Sequence, residues 1–409
     1  MPHIFRKHPR HPLCPDSSIL LAPLCLLTVL MVLSCFTGLW PWSPNAYNSY
    51  VLQADAWLHG HLDLGQDYPW LELAIYDGQY FVSFPPFPSY LLLPFVAVFG
   101  PSFPDGILSI FVSLLGISVA ARICVFTTGK GPQTLFYPLF LYLGTGFLFL
   151  AHTPWIWFLA QSLCFTLSLC AIDCALHNRG GWSLTLWACS VGCRPFSLLF
   201  LPVLIVILYR NRHPRHPVRW VMQHLSWAIG PLLVASSYMA LNYLRFGNVL
   251  EFGHNYLPEF VRAEYGQFSL RYLPDHLRML LRLPSYDTSS GRLVIDHVET
   301  TLLPMENPML VTFVLALILF HRSPCTQKPS MRCLLPVLCL IHMLLTCMHR
   351  TLGAFQYGNR YFLDSMPYMF LGIIEWKGED PRFTRMQWPL FALGFSLSLL
   401  GTVTAYNGW

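Results

Sequence analysis

Residues 40–105 read WPWSPNAYNSYVLQADAWLHGHLDLGQDYPWLELAIYDGQYFVSFPPFPSYLLLPFVAVFGPSFPD, a stretch with six carboxylates and not one Lys or Arg. A long uncharged apolar run, Ile19–Trp40, leads into it, and the basic residues Arg6, Lys7 and Arg10 precede that run. A soluble loop rarely excludes one sign of charge so completely. A segment carried across a membrane does, because Lys and Arg are retained on the cytoplasmic side. The stretch is therefore expected to be an outer loop of a membrane protein, aromatic and acidic, held against the bilayer.

The composition agrees. A chain of 409 residues that is 54% hydrophobic and 11% charged, with a mean hydropathy of +0.47, is too apolar for an ordinary soluble protein. The net charge of +5 matters less than its distribution. Basic residues cluster in short loops: Arg210, Arg212, Arg215 and Arg219; Arg322, Lys328 and Arg332; Lys377, Arg382 and Arg385. Most acids fall in two long loops, about 41–105 and 246–306. That asymmetry is a topology signal and argues against a nucleic-acid partner. Cysteines such as Cys164, Cys170, Cys174, Cys189 and Cys193 lie inside apolar runs and read as small packing hydrophobes. No CxxC pair or Cys/His metal spacing occurs.

A hydrocarbon core of about 30 Å needs about twenty apolar residues per helix. Ile19–Trp40 is the first such span, and further spans are expected near 106–127, 133–151, 155–176, 181–209, 222–244, 307–321, 333–348, 362–375 and 388–405. The 181–209 run is broken by Arg194-Pro195 and reads either as one kinked helix or as two short ones. Phe87–Gly100, bracketed by prolines, reads as a helix lying along the outer surface. The expected fold is an all-α integral-membrane bundle of about ten to twelve transmembrane helices. A basic tail (1–18), a transmembrane catalytic region (19–376) and a cytoplasmic loop with a last helix (377–409) divide it. Outer loops fall at about 41–105, 246–306 and 349–361. No internal repeat is visible, which suits chemistry at a membrane face better than transport.

Three polar clusters face outward in this topology. The first holds Asp55 on a helical stretch near Tyr50, and Asp77 in an Asp77-Gly78 turn. Each acid is a candidate general base, and for Asp77 backbone turn geometry is the competing explanation. The second, NYLRFGNVLEFGHNY, gathers Arg245, Glu251, His254 and Tyr256. Arg245 reads as a lipid-phosphate ligand or as a snorkelling cation. Farther along, Arg278 and Arg282 share a helix face, for phosphate binding or for surface attachment. The third, AFQYGNRYFLDSMPYMFLG, brings Tyr357, Arg360, Tyr361 and Asp364. An Arg360–Asp364 pair at i,i+4 would either aim Arg360 at an anion or simply neutralise two charges. A carboxylate converging with Arg and Tyr beneath a membrane-surface loop points to transfer from a lipid-linked donor.

Four pieces in this order resemble the GT-C superfamily of polyprenyl-phosphate-dependent membrane glycosyltransferases, in particular bacterial protein mannosyltransferases and the lipid A aminoarabinose transferase. They are YVLQADAWLHGHLDL, YDGQYFVSFPPFPSYLLLPFVAVFG, ALNYLRFGNVLEFGHNY and FQYGNRYFLDSMPYMF, spread over about residues 19–375. The resemblance implies a multi-span helical fold with juxtamembrane helices and a catalytic acid in the first outer loop. It also implies inverting transfer of a sugar from a polyprenyl-phosphate donor to an external glycan, lipid or protein acceptor. The implied setting is the outer face of a bacterial cytoplasmic membrane. The chain departs from the family where an Asp or Asp-Glu often follows the first span: Ala46-Tyr47 stand there, next to Asn45. Asp55 and Asp77 are then the expected bases. Arg245, Arg360, Arg278 and Arg282 are expected at the donor phosphate, and Tyr50, Glu251, His254, Tyr256, Tyr357 and Tyr361 around the substrate. No acid pair in the first loop has a spacing that fixes metal geometry, so a divalent metal is neither required nor excluded. A flippase for a lipid-linked sugar and a catalytically degenerate scaffold are the rival functions.

Overall fold

The computed structural model describes residues 17–153, 155–212, 216–283, 285–288, 292–294, 302–320, 329–353, 355–378 and 380–407. Arg6, Lys7, Arg10, Arg215, Arg322 and Lys328 lie outside the described residues. The chain opens on α1 (Ser18–Thr37), whose 20 residues reach about 30 Å, one bilayer core. Its left-handed Gly38 N–H caps the Ser34 carbonyl at 2.9 Å.

The first loop folds as a packed platform rather than a solvated excursion. It carries α2 (Ser49–Leu58), the hairpin β1 (Leu73–Tyr76)–β2 (Gln79–Val82), and α3 (Phe87–Phe99). Tyr50, Val51, Ala54, Leu73, Val82, Leu92 and Val96 join one buried cluster with Leu108, Leu159 and Leu163 of the bundle. Burying each large apolar side chain stabilises this docking by about 1.5–3 kcal/mol. The 13 residues of α3, with Pro94 inside, reach only about 20 Å, so this helix is too short to cross a bilayer upright.

The bundle follows with α4 (Asp105–Thr128), α5 (Gln133–Leu143), α6 (Phe147–His152), α7 (Ile156–Leu176) and α8 (Gly180–Val191). The 3-10 turn Pro195–Phe200 then leads into α9 (Leu201–Arg212). The 181–209 run is thus two helices, because Arg194 takes the extended backbone favoured before proline, with φ −142°. Next come α10 (Pro217–Gln223), α11 (Ile229–Phe246), and the short α12 (Pro258–Val261) and α13 (Leu273–Met279). A small hairpin, β3 (Ser285–Asp287) with β4 (Arg292–Val294), precedes α14 (Leu303–Glu306), α15 (Pro308–Leu319) and α16 (Pro329–Met348). A 3-10 segment, Arg360–Ser365, then leads into α17 (Met366–Lys377), α18 (Pro381–Met386) and α19 (Trp388–Asn407).

Among the described residues, 6 helical segments are long and apolar enough to cross a membrane: Ser18–Thr37, Asp105–Thr128, Ile156–Leu176, Pro195–Arg212, Met331–Met348 and Pro381–Asn407. The other expected spans are shorter pieces, except that near 222–244, where α11 has 18 residues but falls short in apolarity. Gly144–Gly146 separate α5 from α6, and Gly192 ends α8.

Successive passes run back and forth between two ends of the bundle. At one end Ile156 N–H donates to Tyr47 O, Phe87 N–H to Gly192 O, and Asn407 Nδ2 to Phe36 O, at 3.0, 3.0 and 3.2 Å. At the other, Asn211 Nδ2 donates to Ala175 O at 3.1 Å and Arg210 pairs with Glu375 at 2.9 Å. Lys130, Arg212, Lys377 and Arg382 belong to this second end, while the first loop and its acids belong to the first. Asp173 does not reach outward: it is buried against Arg122, whose Nε lies 2.9 Å from Asp173 Oδ1, with His177 Nδ1 at 3.5 Å.

Candidate active site

Below the first-loop platform lies a cavity of about 270 Å³. Four elements supply its chemistry. The loop before β1 provides Glu72; the break between α8 and the following 3-10 turn provides Arg194; the segments after α11 provide His254, Glu259 and Gln267; and the chain between α16 and α17 provides His349, Arg360 and Tyr361. Tyr50, Phe84, Trp157, Phe196, Phe252, Phe260 and Phe268 make the rest of the wall largely aromatic.

Glu72 lies just before β1. Leu71 and Leu73 on either side pack into the platform core, and the side chain between them lines the cavity. There Trp157 Nε1 donates to Glu72 Oε2 at 3.0 Å. Burial holds the Glu72 carboxyl above the usual glutamate range, against the lowering effects of the Trp157 bond and the Arg360 charge. Burial also raises Glu259, which Arg350 opposes.

Arg360 follows Asn359, which takes a left-handed φ of 38°, and its N–H donates to Gln356 Oε1 at 3.0 Å. The residue is 4% exposed, yet its Nε and Nη1 have no hydrogen-bond partner among the described residues. Burial lowers its pKa. Arg194 is held differently: its Nε lies 3.1 Å from Asp364 Oδ2. Both guanidiniums meet the Tyr361 ring, with Arg194 Cζ at 4.8 Å and Arg360 Cζ at 4.9 Å from its centroid. The expected Arg360–Asp364 ion pair is therefore replaced by Arg194–Asp364. The segment is a 3-10 helix with about three residues per turn, which carries i+4 about 120° away from i.

His254 and His349 line the cavity with their Nδ1 atoms 2.9 Å from Ser83 O and 2.8 Å from Thr351 O. A carbonyl partner fixes Nδ1 as the protonated nitrogen and leaves Nε2 as an acceptor. Burial lowers both pKa values, that of His349 to about 4.

Of the residues singled out in the sequence, the structure brings together Tyr50, His254, Arg360 and Tyr361. The others lie elsewhere. Asp55 sits half-buried on α2, one turn after Val51 and beside His59, 3.8 Å away, and it does not line the cavity. Asp77 has φ 52° and Gly78 φ 74°, the backbone of a two-residue hairpin turn, and it is exposed. Arg245 is a buried clasp, its Nη1 on Val82 O at 3.1 Å and its Nη2 on Asn242 Oδ1 at 3.0 Å. Glu251 accepts from Gly253 N–H at 2.6 Å and Asn255 Nδ2 at 2.5 Å. Tyr256 packs on Tyr76, with centroids 4.6 Å apart. Tyr357 is buried where Gly401 lets its ring lie against α19. Arg278 is exposed and pairs with Asp275 at 3.1 Å, and Arg282 is exposed three residues beyond the end of α13, so the two do not share a helix face as expected. Asn45, beside the position where the family often carries an acid, donates its amide to both oxygens of Asp105 at 3.2 Å.

Glu72, Glu259, Arg194, Gln267 and His349 are the cavity residues that sequence reasoning did not select. For Glu72 a signal existed, a lone acid between leucines in the strand-like LELAIY. Among the described residues no group of three His, Cys, Asp or Glu side chains is placed to hold a metal ion.

No family model and no curated protein sequence matches the chain. Among solved structures it resembles ArnT from Cupriavidus metallidurans bound to undecaprenyl phosphate. The TM-score is 0.52 at 13% identity, over 94% of this chain and 76% of that one. The apo structure of the same ArnT aligns with a TM-score of 0.48 at 14% identity, over 91% and 62% of the two chains. The likeness to the undecaprenyl phosphate complex shows the fold: this chain is an all-α, multi-pass integral-membrane protein with the architecture of ArnT.

Proposed function

We propose that the chain is an integral-membrane glycosyltransferase that takes a sugar from a polyprenyl-phosphate donor in this cavity. One observation carries the reading: Arg360 is buried against the cavity with Nε and Nη1 lacking a hydrogen-bond partner among the described residues, beside a second guanidinium and the half-buried Glu72 carboxyl. An unpaired buried cation is costly, and an anion is the ligand that offsets it. The ArnT fold, seen in that protein with undecaprenyl phosphate, supports a lipid phosphate as the anion.

In this reading Glu72, ionised, accepts the proton of an acceptor hydroxyl held in the cavity. The oxygen attacks the anomeric carbon from the face opposite the phosphate, and the bond from that carbon to the phosphate oxygen breaks. The configuration inverts, and Arg360 and Arg194 stabilise the charge gathering on the departing lipid phosphate. In this reading the cavity opens to the outside of a bacterial cytoplasmic membrane, an orientation that the presence of Lys130, Lys377 and Arg382 at the far end supports by the charge rule. Asp173 and Arg122, charged groups within the bundle, are tied to each other and lie away from the cavity, which favours transfer over passage.

The test is release of polyprenyl phosphate by the purified protein in lipid, with a panel of polyprenyl-phosphate sugars and crude envelope acceptors. Release that disappears in Glu72→Gln but persists in Asp55→Asn and Asp77→Asn is the expected result. Folded protein that releases nothing across the panel would refute the enzyme, and release unaffected by Glu72→Gln would refute the base.

A further inference from the structure

Behind the cavity wall lies a set of polar contacts that the proposed chemistry does not use directly. Asp364, 2% exposed and not itself part of the cavity lining, takes Arg194 Nε on Oδ2 at 3.1 Å and Gln161 Nε2 on Oδ1 at 2.8 Å. The same Gln161 amide donates to the Arg360 carbonyl oxygen. One carboxylate and one amide therefore tie α7, the break before Pro195 and the 3-10 segment that begins at Arg360. On the cavity side of this tie, both guanidiniums meet the single ring of Tyr361. Two like charges brought to one ring repel, and among the described residues only Arg194 has a carboxylate within ion-pair distance.

We infer that Asp364 and Gln161 are positioning residues that hold Arg194 and Arg360 as a paired clamp for an anion at the Tyr361 ring. The inference rests on the polyprenyl-phosphate reading above. Gln161 sets the backbone from which the Arg360 side chain departs. Asp364 pins Arg194 through Nε, which leaves the two terminal nitrogens of its planar fork for a phosphate.

Simple electrostatics and positioning give opposite signs for one substitution. Removing a negative charge close to an anion site lowers repulsion and tightens anion binding. Releasing Arg194 from Asp364 misplaces the fork and weakens binding. The experiment measures undecaprenyl phosphate affinity of the full chain in lipid nanodiscs. Asp364→Asn is expected to bind about tenfold more weakly, the size of one coupled pair. Gln161→Leu, which changes no charge, is expected to weaken binding in the same direction, and it decides the matter alone if Asp364→Asn does not fold. Adding Asp364→Asn to Arg194→Gln is expected to cost no more affinity than Arg194→Gln by itself, because Asp364 acts through that guanidinium. Unchanged or tighter binding in Asp364→Asn, or in a folded Gln161→Leu, overturns the inference while wild-type binding preserves the proposed function. Wild-type protein that does not bind undecaprenyl phosphate overturns both.

Discussion

Arg360→Met separates what this guanidinium costs the folded protein from what it contributes to ligand binding. Methionine keeps an unbranched chain of similar length in a site that is 4% exposed, and it removes the charge and every donor. Nε and Nη1 lack partners among the described residues. A buried donor without a partner costs about 1–3 kcal/mol, so the pair places about 2–6 kcal/mol against folding in the absence of ligand. The variant without ligand should therefore unfold at the same temperature as wild type or higher. Binding should move the other way. Two charge-assisted hydrogen bonds to a phosphate contribute about 1.5–3 kcal/mol each, and losing both weakens affinity about 10²–10⁴-fold. Thermal unfolding in lipid, with and without undecaprenyl phosphate, reads both quantities at once. At a ligand concentration of about 100 times the wild-type Kd, wild type should gain about 2.7 kcal/mol of stability and the variant less than about 0.5. A ligand-free variant destabilised by more than about 2 kcal/mol would refute the reasoning, because Arg360 would then be a satisfied structural group. So would ligand stabilisation that survives the substitution.

The raised pKa of Glu72 predicts two pH effects. The base must be ionised, so the low-pH limb of the transfer rate should lie above the usual glutamate value, and Trp157→Phe should move it higher by removing the hydrogen bond that favours the carboxylate. A folded-state pKa above the unfolded one means that stability from this group is full below the unfolded value. That contribution is lost as pH rises through the folded pKa, and Glu72→Gln should abolish the loss in a pH series of unfolding midpoints. Arg245→Met should behave unlike Arg360→Met: it leaves the Val82 carbonyl and the Asn242 side chain without a donor. Stability should fall by about 1–3 kcal/mol in the same unfolding assay, with undecaprenyl phosphate affinity unchanged.

Hydropathy and charge in the sequence alone determined that the chain enters a membrane and where the long loop after its first span begins and ends. These are properties of contiguous segments, because the bilayer selects on mean apolarity over about twenty residues and the charge rule on neighbouring loops. The Asp77-Gly78 turn was legible for the same local reason. The cavity was only half legible. Tyr50, His254, Arg360 and Tyr361 belonged to polar clusters visible along the chain, but Glu72 had no polar neighbours to mark it. Its orientation follows from the packing of Leu71 and Leu73 into the platform core, and only the tertiary structure decides that. The Asp364 partner was likewise a tertiary decision. An α-helix would have offered Arg360, but the 3-10 winding turned Asp364 away, and the backbone break before Pro195 delivered Arg194 from 170 residues earlier. Sequence fixes which groups exist and which local geometry each prefers. The partner of a buried charge is set by which opposite charge the packed helices bring within about 4 Å, since in a low-dielectric interior that contact outweighs separation along the chain.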